Sequence, residues 1–182
     1  MRDLAIAVVI FVALYLCHHL VEANPVWYLI LPVCLSGFVS CFALCYIVHE
    51  WGHYIGAYLA GIKMPLSRYT SAFLGRFHIR DYDRRQYLWL SWGGDIGHVL
   101  VTLLACVIYI AQPGVTTGAF AIGGLAFSAQ ALAVDQPVIW RVTYGADIES
   151  TTSAGTQPGV IIKRTWQTWI PLGLMLLAFN LF

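Results

Sequence analysis

His49 and His53 stand one helical turn apart, with Glu50 next to the first, in the run His49-Glu50-Trp51-Gly52-His53. On a helix that spacing projects both imidazoles from one face, where they can grip a single metal ion. Glu50 is placed to polarise a water beside that ion and later to pass its proton to a leaving amine. A zinc held by two histidines needs a third protein ligand and leaves a fourth position for water. Asp135 is the first candidate, because it stands where a later apolar segment returns to the level of His49. Asp147, in Tyr144-Gly145-Ala146-Asp147, is the alternative, since the chain beyond Pro137 could fold back to present it. Asp95 and His98 are expected to orient those ligands or to hydrogen-bond a substrate. The competing reading of the motif is a set of polar side chains packed by hydrogen bonds alone.

What must position these residues is a membrane bundle. Only 10% of the 182 residues are charged and 59% are hydrophobic, whereas about a quarter of an ordinary soluble domain is charged. A helix crosses the hydrocarbon core with about 20 apolar residues. Segments 4–21, 26–60, 87–111, 115–134 and 166–182 meet or approach that, giving about five spans in a single membrane domain. The second is too long for one plain crossing and must tilt or carry its last turns past the bilayer. Val21-Glu22-Ala23 loosely fits a signal-peptide cleavage site, but Asp3 and His18-His19 argue against cleavage.

All ten basic residues lie at the N-terminus or in the expected loops 62–86 and 135–165. An inside N-terminus makes every one of them cytoplasmic and leaves the C-terminus outside. The expected location is a bacterial inner membrane. With that topology His49, Glu50, His53, Asp95, His98 and Asp135 all fall in the cytoplasmic third of the bilayer, as a single site requires. The net charge of +1 contains no basic stripe, so nucleic acid is not an expected partner. All five cysteines lie in apolar stretches and read as free, buried thiols. Cys41 and Cys45 share the stripe of His49 and read as small packing residues. His18 and His19 read as interfacial, and His78 as a loop residue.

A membrane helix with His-Glu-x-Gly-His, then a basic loop, two more spans and an aspartate, resembles the site-2 protease family of intramembrane zinc metalloproteases. The resemblance covers roughly residues 38–147. It implies an all-α integral membrane fold around a three-helix core, a zinc on His49, His53 and an aspartate, and Glu50 as base. It also implies a short β-hairpin after the motif helix. Residues 67–74 and 76–80 around Gly75 fit two such strands, and equally fit an amphipathic loop lying on headgroups. Where the family places Gly-Pro-x-x-Asn, this chain has Gly93-Gly94-Asp95-Ile96-Gly97-His98. The family's Asn-Pro-Asp-Gly segment has only partial echoes in Asp135-Gln136-Pro137 and Gly145-Ala146-Asp147.

The function this predicts is zinc-dependent hydrolysis of a peptide bond in a membrane-embedded substrate near the cytoplasmic face. The alternative is a protease-like scaffold that no longer cuts and serves as an accessory subunit of a larger membrane complex. A metal or haem carrier using His49, His53 and His98 is a minor third reading, since Cys17-His18-His19 lacks the haem-attachment spacing.

Overall fold

The structure is a computed structural model, described for residues 2–23, 27–65, 81–155 and 157–179. These residues form six α-helices and no strand: α1 (Arg2–Ala23), α2 (Trp27–Leu59), α3 (Arg84–Ala111), α4 (Val115–Thr143), α5 (Ile148–Gly155) and α6 (Pro158–Phe179). The hairpin expected over 67–80 lies outside the described residues.

Four helices are long and apolar enough to cross a membrane, over Asp3–Leu20, Ile30–Leu59, Arg84–Ala111 and Val115–Thr143. The fifth expected span, 166–182, is helical through Phe179, but its side chains beyond Trp169 fall outside the description. The pattern of burial is that of a membrane bundle. On α2, Leu31, Leu35 and Val39 face outward while Ser40, Cys41, Cys45, His49 and Glu50 are buried. On α3, Leu100, Leu103, Leu104 and Val107 face outward while Ser91, Asp95, His98 and Thr102 are buried. Apolar groups outside and polar groups inside is the arrangement hydrocarbon demands, because a polar atom facing lipid has no partner.

Local sequence sets most of the helix ends. Asp83 caps α3: its carboxylate accepts from the Gln86 amide at 2.8 Å, and the Gln86 side chain accepts from the Asp83 amide at 3.1 Å. That box starts the helix at Arg84, one turn ahead of the apolar run from Tyr87. Pro158 opens α6, where its missing N–H costs nothing. The segment 135–165, expected as a loop, is mostly helical. Helix α4 continues through Pro137 to Thr143 because Val138, Ile139 and Val142 are buried, with Tyr87 of α3 packed against Val138 and Val142. A proline removes one intrahelical bond and kinks the helix; the packing beyond it holds the helix together.

Helices α2, α3 and α4 form the central layer, with α1 against α2 and α6 against α4. The apolar core joins Cys41, Leu44 and Cys45 to Ala105, Phe120, Ala121, Phe127 and Ala131, with Ala7, Ile10 and Leu14 of α1 packed onto it. All five cysteines are free thiols. Thr102 ties the three central helices together, bonding the Gly124 carbonyl at 3.0 Å and the Ser128 hydroxyl at 2.7 Å, with Cys45 Sγ at 3.6 Å.

Helices α2 and α3 approach until their backbones touch. A methyl group on Gly52 would overlap the Gly93 carbonyl, and one on Gly93 would overlap that of Gly52. Small residues at such a crossing let the main chains pack directly. Gly52→Ala is therefore expected to cost about 1–3 kcal/mol, the usual penalty for forcing atoms into a filled interface. Gly159→Ala, with nothing within 4 Å, is the control. Thermal unfolding in detergent, followed by circular dichroism, should lower Tm for the first and leave the second near wild type.

Candidate metal centre

The α2/α3 contact sets the site directly. Gly94 of α3 lies flat against the His53 ring: a methyl group there would sit 2.6 Å from its Nε2 and 2.7 Å from its Nδ1. One turn earlier, the Leu90 carbonyl takes a hydrogen bond from His53 Nδ1 at 2.8 Å. A carbonyl only accepts, so the proton is on Nδ1 and the lone pair of His53 is on Nε2. That nitrogen faces His49 Nε2 at 2.9 Å. The other nitrogen of His49, Nδ1, pairs with Nδ1 of His98 at 3.1 Å. Three imidazoles therefore run in a chain from α3 through α2 and back to the α3 backbone.

Asp135 comes to the same place from α4. Its Oδ2 is 3.8 Å from His49 Nε2, and about a third of its side chain is accessible. The charges of Asp95, Glu50 and Arg164 act on it. Glu50 is itself buried, next to His49 on α2. Asp95 accepts from the Gln136 amide at 2.6 Å, so the residue following Asp135 anchors α4 to α3. Arg164 of α6 donates to the Val134 carbonyl at 2.8 Å, bracing the turn that carries Asp135 from the other side. The Phe127 ring closes the apolar wall against His49 and His98, with ring centroids 5.9 and 5.5 Å away.

Would a zinc ion fit? Two ligands on one tetrahedral ion at 2.0–2.1 Å stand about 3.3 Å apart. The two Nε2 atoms are within a few tenths of that, and the Asp135 carboxylate is within 3.8 Å of one of them. His53 is fixed in the tautomer a ligand needs. The donor set, two imidazoles and a carboxylate, is one that zinc accepts while keeping a position for water. The trio whose ligand atoms all lie within 4.8 Å of one another among the described residues is a different one, His49, Asp95 and His98. Among the described residues, Asp95 Oδ1 and His98 Nε2 are buried with no hydrogen-bond partner. His49 belongs to both sets.

Of the residues expected from sequence, His49, Glu50, His53, Asp95, His98 and Asp135 come together. Asp147 does not join them. It is exposed at the head of α5, where its carboxylate accepts from the Ser150 amide at 2.9 Å. The Ser150 bonds hold its carboxyl below the ordinary carboxylate value. The cap is thus fully formed above pH ~3.9 and is lost as pH falls through the lowered value. Three participants were not anticipated: the Leu90 carbonyl, Gln136 and Arg164. Gln136 follows Asp135 directly, which was a usable signal; the other two act through tertiary contacts that no local pattern announces.

Residues that hold ligands in place cost about 10–100-fold in metal affinity when changed. Arg164→Gln and Gln136→Leu are each expected to weaken zinc binding by about that factor, measured by competition with a chromogenic chelator, while Asp147→Asn leaves it unchanged. No protein-family model, curated protein or solved structure matches the chain, so the reading of this centre rests on its own geometry and chemistry.

Proposed function

We propose that the chain is a zinc-dependent intramembrane metalloprotease of the site-2 protease kind. The observation that carries this is that His49 Nε2, inside a membrane bundle, stands 2.9 Å from His53 Nε2 and 3.8 Å from the Asp135 carboxylate, beside a buried Glu50. A structural cluster has no need of the carboxylate. Burying acids beside the histidines is costly unless a cation or a hydrogen-bond donor meets them.

On this reading His49 and His53 hold the ion through Nε2 and Asp135 contributes the anionic ligand. Zinc, when bound, supplies Lewis acidity toward a peptide carbonyl and a water. Glu50 takes the proton from the attacking water, and the water oxygen bonds to the carbonyl carbon. As the C–N bond breaks, Glu50 returns that proton to the leaving amine. The Leu90 carbonyl keeps His53 in the required tautomer, and His98 fixes the His49 ring through Nδ1. Asp95 and Gln136 lock α3 to α4, so that Asp135 cannot drift from the histidines.

The substrate is a membrane-embedded segment of another protein, cut near the cytoplasmic face. The distribution of basic residues supports an inside N-terminus, and a bacterial inner membrane is the location proposed with it. The rival is a non-cutting scaffold within a larger membrane complex, and the two part on metal binding.

Elemental analysis of detergent-purified protein should give close to one zinc per chain. Glu50→Gln should keep the zinc and lose at least ~10²-fold in peptide-bond hydrolysis, the ordinary contribution of a general base. His49→Ala/His53→Ala should lose both. A well-folded wild type that takes up no zinc when supplied with it sinks the protease reading and leaves the scaffold.

A further inference from the structure

On the flank of α2 and α3 away from Glu50 runs a groove of about 890 Å³. Its walls include Ile55 and Leu59 of α2, and Leu88, Trp89, Trp92 and Ile96 of α3. Gly52, Gly56, Gly93 and Gly97 form its floor, where the main chains of the two helices touch. Among the described residues, the charged ones lining it are Arg84 and Arg85, the first two residues of α3, and the Arg84 guanidinium also stands near Gly145 at the end of α4. The groove is therefore apolar along its length and cationic at one end.

Its length identifies the occupant. Helix α3 has 28 residues, a rise of about 42 Å, which matches the ~40–45 Å of a bilayer with its headgroups. From Arg84 to Leu100, the last lining residue, the groove runs about 24 Å by the same rise. That is a little over half the bilayer, the depth of one leaflet. A lipid needs one leaflet, with its phosphate at the arginines and a chain over the glycines. The N-terminal amides of α3 add partial positive charge at that end, although Asp83 already occupies the Gln86 amide. Trp89 and Trp92, both partly exposed, are the side-chain type that settles at the headgroup boundary.

We infer that this groove is a binding site for one anionic phospholipid, its phosphate held by Arg84 and Arg85 and one acyl chain lying along the seam where α2 and α3 touch. The site is separate from the metal centre, since His49 and His53 face α3 and α4 from the other side of the crossing. The two still share a wall: Gly93 lines the groove while Gly94 lies on the His53 ring. An occupied groove therefore supports the backbone against which His53 is set.

Native mass spectrometry of the full chain, released from micelles holding equal phosphatidylglycerol and phosphatidylcholine of identical chains, tests this. Each basic residue at a membrane surface is worth roughly fivefold toward an anionic lipid, so the pair predicts about 25-fold retention of phosphatidylglycerol over phosphatidylcholine. Arg84→Gln/Arg85→Gln should bring that ratio close to one. Ile55→Trp, filling the groove from a half-exposed position, should remove the retained lipid of either kind, and Ile96→Trp on the opposite wall should do the same. Circular dichroism confirms that each variant is folded. An unchanged lipid ratio in the double arginine variant overturns the inference. So does full lipid retention in both folded tryptophan variants, or a protein partner held in the groove in place of the lipid.

Discussion

Helices α2 and α3 meet backbone to backbone at Gly52 and Gly93, and most of what the molecule can do depends on that contact. With ordinary side chains at the crossing the helix axes would stand further apart, in the usual 8–10 Å range or beyond. The Leu90 carbonyl would then miss His53 Nδ1, Gly94 would leave its ring, and the His49–His98 pair would separate. Gly56 against Trp89 and Gly97 against Val48 extend the close approach along both helices. In hydrocarbon no water drives apolar faces together, so packing and interhelical hydrogen bonds must do it. The glycines supply the packing, and the histidines supply two of the bonds.

The polar residues brought inside by this contact form one connected stripe. On α3, Ser91, Asp95, His98 and Thr102 follow one another at intervals of four, three and four, which is one helical face. On α2, Cys41, Cys45, His49 and His53 recur every four. The two stripes face each other, and the bond from Cys45 Sγ toward the His98 carbonyl marks where the metal centre gives way to the small-residue core. Below that point every partner is a hydroxyl, a thiol or a carbonyl. Above it imidazoles and carboxylates join them. The change is abrupt because a buried charge is affordable only where a counter-charge, an ion or water can reach it.

These stripes are why much of the site was legible before any coordinates. The motif, the stripe of Cys41, Cys45 and His49, and the return of Asp135 to the level of His49 all follow from periodicity and span length. What periodicity could not show was how α4 behaves after Asp135. Pro137 reads as a stop signal, and the helix runs on to Thr143 because Val138 and Val142 bury themselves with Tyr87. The same misreading made Asp147 a plausible ligand, since it required a loop that folds back. In the structure that stretch is helix, and Asp147 is spent on capping α5. The lining of the groove was equally hidden, because it is made by glycines, whose role depends on what stands opposite them.

Pro137 has a further consequence for the centre. Having no N–H, it leaves the Ala133 carbonyl without its intrahelical donor. The neighbouring Val134 carbonyl is turned toward α6, where Arg164 takes it up. Helix α6 is set in register by two more contacts: Gln130 donates to Thr165 at 2.7 Å and accepts from Trp169 Nε1 at 2.7 Å. The turn bearing Asp135 is thereby held between α3, through Gln136 and Asp95, and α6, through Arg164. An aspartate at the end of a free helix would wander by more than the few tenths of an ångström a metal tolerates. A sixth helix, remote from the motif, thus helps to hold the turn that carries the proposed third ligand.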